Sequence, residues 1–341
     1  MVEAHERERK QRMEKQRIFI DDILSNENMN RAYKQVIKNK GAAGIDGMEC
    51  NDLFSHLKVN GHQLRESIRN QSYKPMPVKR VEIPKDNGSK RKLGIPTVTD
   101  RMIQQAAAQV LTPIYERKFH TNSYGFRPGK SAQQAVLKAA EYMNEGYNWV
   151  VDIDLEKFFD TVEHDKMISI LNKEIKDGKT LSLIRKFLAS GVMVGEQMEE
   201  TEIGTPQGGN ISPLLANILL NELDWELESR GLRFVRYADD CIILVRSEKA
   251  ATRVMKSVTK YIENVLRLKV NKDKSRIGRP TEIQYLGFAF YYQFQEKKYR
   301  MKVPKKSLDK VMKKVRELTS RKWSVSKIGR ASCRERVSAE V

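Results

Sequence analysis

The chain has few of the features that anchor secreted, zinc-bound or membrane proteins. Only three cysteines occur in 341 residues, far apart and with no Cys-x-x-Cys pair, so neither a disulfide framework nor a zinc site is indicated. No apolar run approaches the roughly 20 residues of a membrane-spanning helix. The charged first ten residues lack the apolar core of a secretion signal. These absences predict a cytoplasmic protein with no membrane partner.

Histidine is also scarce, and one common phosphate-binding motif is missing. The five histidines form no spaced cluster, so each is expected to be a surface or structural residue rather than a metal ligand. The Gly-rich segment 201–210 is not followed by Gly-Lys-Ser/Thr, which excludes a Walker loop. Its glycines would still let backbone amides approach a ligand closely. A simple loop leading into a helix is the alternative.

What the chain has in excess is positive charge. Lysine and arginine total 63 against 44 acidic residues, a net charge of +19. Such an excess predicts a polyanionic partner, and nucleic acid is favoured over an anionic membrane surface. With 40% hydrophobic residues the chain can bury a substantial core, and its length suggests two packed regions.

Two adjacent carboxylates, Asp239 and Asp240, interrupt the apolar and strand-forming run 232–246. The pattern predicts a β-hairpin with this pair at its tip. Adjacent anions repel each other, and a divalent cation bound by oxygen ligands would remove the repulsion. A solvated turn explains the same residues, because Asp is common in turns. This segment alone does not decide between the two.

A second pair of carboxylates lies on a short apolar strand, residues 149–155. Asp152 and Asp154 alternate along it and so share one face, although Asp residues at an exposed strand end would look the same. If this strand neighbours the hairpin 232–246 in one sheet, three carboxylates converge. That arrangement suits two divalent cations that promote an in-line displacement, and with a nucleic-acid partner the chemistry is nucleotidyl transfer.

The remaining patterns predict helices joined by short strands. Residues 73–96 form a basic hairpin with Asn87-Gly88 at its turn, which is either a solvated turn or a loop that grips phosphates. Thr99-Asp100 are expected to cap a helix, and Ser131 and Gln134 to form a capping box that opens helix 132–144. Further predictions are helices over 163–175, 180–190 and 250–268, a long apolar helix after Pro213, a strand pair over 283–292, and a basic helix after Pro304 with Leu308, Val311, Met312, Val315 and Leu318 facing inward.

Seven stretches, taken in order, resemble the reverse transcriptases, and most closely the bacterial group II intron-encoded type. Each is weak alone, whereas the ordered set is highly specific. The stretches are Gly44-Ile-Asp-Gly47, residues 92–101 (KLGIPTVTDR), Tyr124-Gly-Phe-Arg-Pro128, residues 152–160 (DIDLEKFFD), residues 204–209 (GTPQGG), Tyr237-Ala-Asp-Asp240 and Tyr285-Leu-Gly-Phe288.

The resemblance implies an α+β fold, a right-hand polymerase with fingers and palm, in which an antiparallel palm sheet is flanked by helices. It implies an RNA-directed DNA polymerase that uses an intron RNA template, a DNA primer and dNTPs. An RNA-binding splicing cofactor without polymerase activity and a retron-type reverse transcriptase are the alternatives. Oligomeric state is left open between monomer and dimer.

By the same resemblance, Asp154, Asp239 and Asp240 are catalytic ligands of two Mg²⁺ ions, or of Mn²⁺ in their place. Asp154 is preferred to Asp152 because it precedes Phe159 by the family's spacing. Phe159 would exclude a ribose 2′-hydroxyl and so favour dNTPs, although an aromatic residue there also suits a core. The other implied nucleotide contacts are Lys85 and Arg91 to the triphosphate, Gln207 to the incoming nucleotide, and Lys274 near the pyrophosphate.

The resemblance also suggests how the chain is divided. The expected regions are an N-terminal helical extension (1–40), fingers (41–145, with 170–200 partly inserted), palm (146–300) and the first thumb helix (301–327). Residues 328–337 resemble a translated sequencing adapter. We therefore expect 328–341 to be a non-native tail, with Cys333 foreign and the family sequence ending near Lys327.

Overall fold

The computed structural model describes residues 20–84, 90–194, 197–199, 204 and 208–319. These residues form an α+β fold in which helices pack around mainly antiparallel sheets, so the predicted class is confirmed. The proposed non-native tail and the first 19 residues lie outside the described residues.

The chain enters through helices that pack on a central helix. Ser25 caps the second of them by accepting a hydrogen bond from the Asn28 amide, and Asn28 in turn donates to the Ala106 carbonyl at 2.9 Å. Helices are therefore present in the described part of the segment 1–40, for which a helical extension was predicted. The first three helices are α1 (Ile20–Leu24), α2 (Asn26–Asn39) and α3 (Leu53–Arg69).

Strands β1 (Val78–Pro84) and β2 (Lys90–Ile95) form the predicted antiparallel hairpin, whose turn lies outside the described residues. Helix α4 (Val98–Glu116) follows. Its predicted cap was wrong: Thr97, not Thr99 or Asp100, accepts from the Asp100 amide. Asp100 is instead buried, and its carboxylate accepts from the Tyr73 hydroxyl, the Met76 amide and the Thr97 hydroxyl.

Helix α5 (Ala132–Asn144) begins at the predicted capping box, in which Ser131 and Gln134 each accept from the other's backbone amide. The two predicted helices after it are also present, with shifted ends. Asp177, for example, caps α8, which begins at Gly178, two residues before the predicted start at 180. The elements that follow are β3 (Trp149–Ile153), α6 (Phe158–Thr161), α7 (His164–Asn172), α8 (Gly178–Leu188), β4 (Val192–Val194) and β5 (Gln197–Glu199).

The central sheet is antiparallel and has the strand order β6-β7-β3-β8. A second sheet has the order β2-β1-β4-β5, in which β1 and β4 run parallel. The elements that complete the central sheet are α9 (Ser212–Ser229), β6 (Arg233–Tyr237), β7 (Asp240–Val245), α10 (Glu248–Asn264) and β8 (Arg276–Gly278).

Both faces of the central sheet are covered, which explains why its strands are nearly continuously apolar. Along β7, Ile243 packs into the core shared with α9 and α10, whereas Ile242 and Leu244 pack into a second core under α5. Period-two alternation thus separates the two layers, and the sheet is held from both sides at the point where its acidic residues lie.

The last elements form a small sheet and one more helix. Strands β9 (Gln284–Tyr285), β10 (Phe288–Gln293) and β11 (Lys298–Lys302) include the predicted strand pair. Helix α11 (Lys305–Thr319) is amphipathic, but its apolar face was wrongly predicted to be buried. Leu308 and Met312 are each 51% exposed, because no described element packs on that face. No helix among the described residues is long and apolar enough to cross a membrane.

Candidate active site

The central sheet brings the predicted carboxylates to one end. Strand β3 pairs with β7 in a register that sets Asp152 opposite Ile242 and Ile153 opposite Cys241. Asp154 follows the last residue of β3, and Asp240 is the first residue of β7. The two therefore meet at the same edge, and the prediction that these segments are sheet neighbours is confirmed.

Asp239 lies in the tight turn between β6 and β7. Tyr237 and Asp240 are the last paired residues of the hairpin, which leaves Ala238 and Asp239 to make the reversal. Ala238 has φ of +55°, a left-handed conformation that costs a non-glycine residue about 1–2 kcal/mol. Asp240 is exposed to solvent. The predicted hairpin tip is confirmed, and it presents one carboxylate open to solvent.

The carboxylates at this edge repel one another. Burial and then the charges of Asp239, Asp154 and Asp152 raise the pKa of Asp240 to about 6, whereas Lys274 lowers it. Water reaches this side chain and screens part of the repulsion. Desolvation is the larger cause of the raised pKa although part of Asp240 stays exposed, and the neighbouring carboxylates add to it; a bound cation would offset that repulsion.

A loop from residue 271 to 275 holds the backbone of Asp154. The Asn271 amide donates to the Asp154 carbonyl at 2.9 Å, and the Asp154 amide donates to the Ser275 hydroxyl at 3.1 Å. The same loop carries Lys274, whose Nζ lies 3.6 Å from Asp154 Oδ1. Sequence patterns did not indicate these supporting roles of Asn271 and Ser275.

Asp152 has a different partner, which separates its role from that of Asp154. The Arg276 Nε on β8 lies 3.4 Å from Asp152 Oδ2. Burial raises the pKa of Asp152, Arg276 lowers it, and Asp154 raises it. Because a guanidinium already partners Asp152, Asp154 is the better candidate for a cation ligand from this strand.

The three carboxylates have the ligand chemistry that a divalent cation prefers, but their side chains do not form a complete metal-ligand group. Carboxylate oxygens are the donors that hard cations prefer, and Asp154, Asp239 and Asp240 supply them from two adjacent strands. Within the described part of the chain, however, no three His, Cys, Asp or Glu side chains already stand as a metal-ligand group.

Phe159 lies five residues after Asp154, in the short helix α6. Its ring packs at 5.1 Å and 76° against that of Phe158. Phe158 is buried and Phe159 only partly so. The arrangement leaves part of the Phe159 ring facing away from the core, as a contact residue requires.

Other predicted nucleotide contacts are described only through their surroundings. Lys85 and Gln207 lie outside the described residues, and of Arg91 only the backbone is described, paired with Ile83 in the β1–β2 hairpin. Gly208, next to Gln207, packs so tightly on β2 that an added Cβ would lie 2.3 Å from the Gly94 carbonyl oxygen. Gly208 is thus in contact with the strand that carries Arg91.

The other end of that loop contacts the α6 region. His164 Nε2 lies 2.5 Å from the Gly204 carbonyl oxygen, and the Gly204 amide donates to the Val162 carbonyl at 2.8 Å. A Cβ on Gly204 would stand 2.9 Å from the Asp160 carbonyl oxygen. Glycine is required at both Gly204 and Gly208 because the backbones touch, the first against the helix that carries Phe159 and the second against β2.

Comparison with known proteins gives one family. Residues 83–290 match the family model described as reverse transcriptase (RNA-dependent DNA polymerase). Protein YkfC of Escherichia coli is 32% identical over 308 residues, which cover 79% of this chain and 80% of that protein. Group II intron-encoded protein LtrA of Lactococcus lactis subsp. cremoris is 35% identical over 324 residues, or 75% of this chain and 54% of LtrA. The chain thus spans about half the length of LtrA.

Similarity extends to a fungal protein. The putative COX1/OXI3 intron 2 protein of Saccharomyces cerevisiae is 30% identical over 333 residues, which cover 79% of this chain and 38% of that protein. The segment that matches the family model, residues 83–290, includes the whole central sheet, because it contains β3, β6, β7 and β8.

Proposed function

This chain belongs to the reverse transcriptase (RNA-dependent DNA polymerase) family, and we propose that it is an active polymerase of the group II intron type. It would add dNTPs to the 3′-hydroxyl of a DNA primer on an intron RNA template. The observation that carries the proposal is the shared edge of β3 and β7, where acidic neighbours and burial raise the pKa of Asp240 to about 6.

We infer that Asp154, Asp239 and Asp240 hold two Mg²⁺ ions, or Mn²⁺ in their place. Bound Mg²⁺ would activate the primer hydroxyl and neutralise charge on the departing pyrophosphate. The protein's own part is to position three carboxylates on a sheet that is packed on both faces. Such rigidity supports catalysis by positioning and electrostatics.

The remaining predicted residues would bind the incoming nucleotide. Lys85 and Arg91 would contact the triphosphate, Gln207 the nucleotide itself, and Phe159 the sugar face where a 2′-hydroxyl would clash. Lys274 would assist near the pyrophosphate. Support for this grouping comes from the contact of Gly208 with β2 and from the ion pair of Lys274 with Asp154.

A primer-extension assay tests the proposal. The protein, a DNA primer on an RNA template, dNTPs and Mg²⁺ should give extended product, and Asp239→Asn should remove it. Asp165→Asn is the matched control, because Asp165 forms a surface ion pair with Arg185 and is 83% exposed. No extension by the parent protein, or equal extension by Asp239→Asn, would contradict the proposal.

A second function, intron RNA binding in support of splicing, is favoured by the net charge of +19 and by similarity to a group II intron-encoded protein. It predicts tight binding of intron RNA that weakens steeply with salt. That binding should survive Asp239→Asn, because the substitution removes no lysine or arginine side chain that could contact RNA phosphates. Equal affinity for unrelated RNA of the same length would argue against this function.

A further inference from the structure

The most deeply buried charge in the described residues lies beside the catalytic turn. Arg236 is on β6, two residues before Ala238, and its side chain is 1% exposed, while that of Asp224 on α9 is fully buried. Removing a guanidinium from water is costly unless every donor is bonded. The hydrogen-bond partners of Arg236 therefore show which parts of the structure the buried side chain stabilises.

All five donors of Arg236 are used. Nε donates to Asp224 Oδ1 at 2.7 Å, and Nη2 donates to Asp224 Oδ2 at 2.5 Å and to the Ser123 hydroxyl at 2.8 Å. Nη1 donates to Asn217 Oδ1 at 3.0 Å and to the Ala238 carbonyl at 2.8 Å. A bidentate pair with Asp224 would balance the charge by itself, and the bond to Ala238 both satisfies one of the remaining donors and ties the arginine to the backbone of the turn.

The Ala238 carbonyl belongs to the peptide bond that joins Ala238 to Asp239. Because Ala238 has φ of +55°, this turn is in a sparsely populated conformation that persists only when its surroundings hold it. The hydrogen bond from Arg236 Nη1 to the Ala238 carbonyl fixes the orientation of the Ala238–Asp239 peptide plane. It acts on the backbone that sets the direction of the Asp239 carboxylate.

Loop 122–125 contacts the turn at the preceding peptide bond, between Tyr237 and Ala238. A Cβ on Gly125 would lie 2.2 Å from the Ala238 amide nitrogen, so the two backbones are in contact. The loop is itself tied to Arg236: the Tyr124 amide donates to the Arg236 carbonyl at 2.8 Å, and the Arg236 amide donates to the Asn122 carbonyl at 3.0 Å.

One further side chain joins both supports. Asn217 on α9 accepts from Arg236 Nη1 and donates from Nδ2 to the Gly125 carbonyl at 2.8 Å. The side chain of Asn217 is thus bonded on one side to the arginine and on the other to the loop. No part of this network faces solvent, since Ser123, Asn217 and Asp224 are all buried.

We propose that Arg236 and Gly125 are positioning residues that clamp the two peptide bonds on either side of Ala238, Gly125 the Tyr237–Ala238 peptide and Arg236 the Ala238–Asp239 peptide, and so preset the Asp239 carboxylate for cation binding. The inference rests on the proposed function and extends it to residues that touch neither cation nor substrate. A buried ion pair that only stabilised the core would act on folding and leave the affinity for a cation unchanged.

Two variants weaken the clamp at its two different contacts with the turn. Arg236→Lys keeps a positive charge beside Asp224 but offers a single amine in place of a five-donor fork. Gly125→Ala leaves Arg236 intact and pushes a methyl group against the Ala238 amide. The controls are Gly178→Ala, where no atom lies within 4 Å of the added Cβ, and Arg230→Lys, whose partner is the surface residue Glu226.

The main readout is Mn²⁺ affinity, measured by electron paramagnetic resonance without nucleic acid. It is paired with single-nucleotide addition in Mg²⁺ at a temperature well below the unfolding midpoint. For both clamp variants we expect Mn²⁺ affinity and addition rate to fall by about 10- to 100-fold, since a displacement near 1 Å has effects of that size. Primer–template affinity should stay within about twofold, because Arg236 and Gly125 are both buried and neither variant removes a positive charge from the surface.

Three results would overturn the inference. The first is a folded Arg236→Lys or Gly125→Ala protein that keeps both Mn²⁺ affinity and addition rate. The second is an equal loss in the control variants. The third result needs only the parent protein, so it can be obtained even if neither variant folds. If the amides of residues 238–240 exchange hydrogen as fast as those of the turn at 286–287, the tip is not clamped.

The same measurements separate this inference from the proposed function. If the parent protein neither binds Mn²⁺ in a way that Asp239→Asn abolishes nor extends a primer, the proposed function fails and the clamp has nothing to position. If the parent does both and the clamp variants match it, the inference alone fails. Loss in the clamp variants with normal controls supports both.

Discussion

Lys274 Nζ lies 3.6 Å from Asp154 Oδ1, and this is the cation that partly balances the acidic edge of the central sheet. Asp152 has its own guanidinium partner, Arg276, in β8. Lys274 sits on the exposed 271–275 loop, so it is free to move aside. An ammonium group that balances carboxylates without blocking them is suited to the site for which we propose a divalent cation.

Lys274→Met should therefore move the pH dependence of metal binding. Lys274 lowers the pKa of Asp240, so removing it raises that pKa further and the acid limb of Mn²⁺ binding shifts to higher pH by a fraction of a unit. Binding titrations from pH 5 to 8 measure the shift. The matched control is Lys272→Met in the same loop, which should leave the midpoint unchanged. An unchanged midpoint in Lys274→Met would mean that Lys274 does not interact with the site.

The parent protein should bind metal poorly in mild acid. The pKa of Asp240 is raised from 3.8 to about 6, and a protonated carboxyl group is a poor cation ligand. Mn²⁺ affinity should hence fall as the pH drops through about 6 and level off above about 7. The control is Lys272→Met, an exposed substitution that leaves Asp240 in place and should keep the same acid limb. A limb centred near pH 4 in the parent protein would contradict this account.

Asp240→Asn should stabilise the metal-free fold while abolishing extension. A raised carboxyl pKa means that the folded state loses stability as pH rises from the unfolded-state value of 3.8 through about 6, so above pH 6 the charge is a cost. Solvent screening keeps that cost small, and we expect the unfolding midpoint at pH 7.5 to rise by about 1–2 °C. Calorimetry with and without Mg²⁺ checks it: Mg²⁺ should raise the midpoint of the parent only.

The sequence predicted local structure well where the signal was local. The capping box at Ser131 and Gln134 needs only residues three apart, and the hairpin at Asp239 needs only an apolar run on each side; both are confirmed. The cap of α4 was wrong because Asp100, a good local cap, is bonded instead to Tyr73 from a distant segment. Tertiary hydrogen bonds outweighed a local preference that is worth only about 1 kcal/mol.

Two other features needed three-dimensional information. Arg236 lies in an apolar strand and Asp224 in an apolar helix, and each alone violates its pattern; only the fold shows that they pair. For α11 the helix was predicted correctly, but the burial of its apolar face was not. Its periodicity correctly predicted an amphipathic helix, but periodicity identifies an apolar face and says nothing of what covers it.

Phe159 should control discrimination between dNTPs and NTPs. Its ring is held edge-on by Phe158 at 5.1 Å while remaining partly open. Phe159→Val keeps an apolar residue but removes the ring, so NTP incorporation should rise by about 10- to 100-fold relative to dNTP incorporation, as expected for relief of a steric clash. Primer extension with each nucleotide class measures the ratio.

The control for the Phe159 variant is Phe294→Ala, because Phe294 is 83% exposed on the small C-terminal sheet. Its dNTP/NTP ratio should equal that of the parent. If Phe159→Val lowers overall activity without changing the ratio, Phe159 is a packing residue of α6 and not a gate.

Gly208→Ala should weaken binding of the incoming nucleotide while leaving duplex binding intact. An added Cβ would lie 2.3 Å from the Gly94 carbonyl oxygen of β2, and Gly208 has φ of +119°, so the loop must move away from the strand that carries Arg91. Because Gln207 precedes it directly, we expect the KM for dNTP to rise about tenfold with a smaller change in kcat.

Strain at a positive φ would by itself destabilise any Gly→Ala variant, so the control must share that strain without the clash. Gly146 does so, with φ of +93° and no atom within 4 Å of an added Cβ. Gly146→Ala should lower the unfolding midpoint and leave the KM for dNTP unchanged. Equal KM values in the two variants would show that the contact between Gly208 and Gly94 does not hold the nucleotide-binding loop in place.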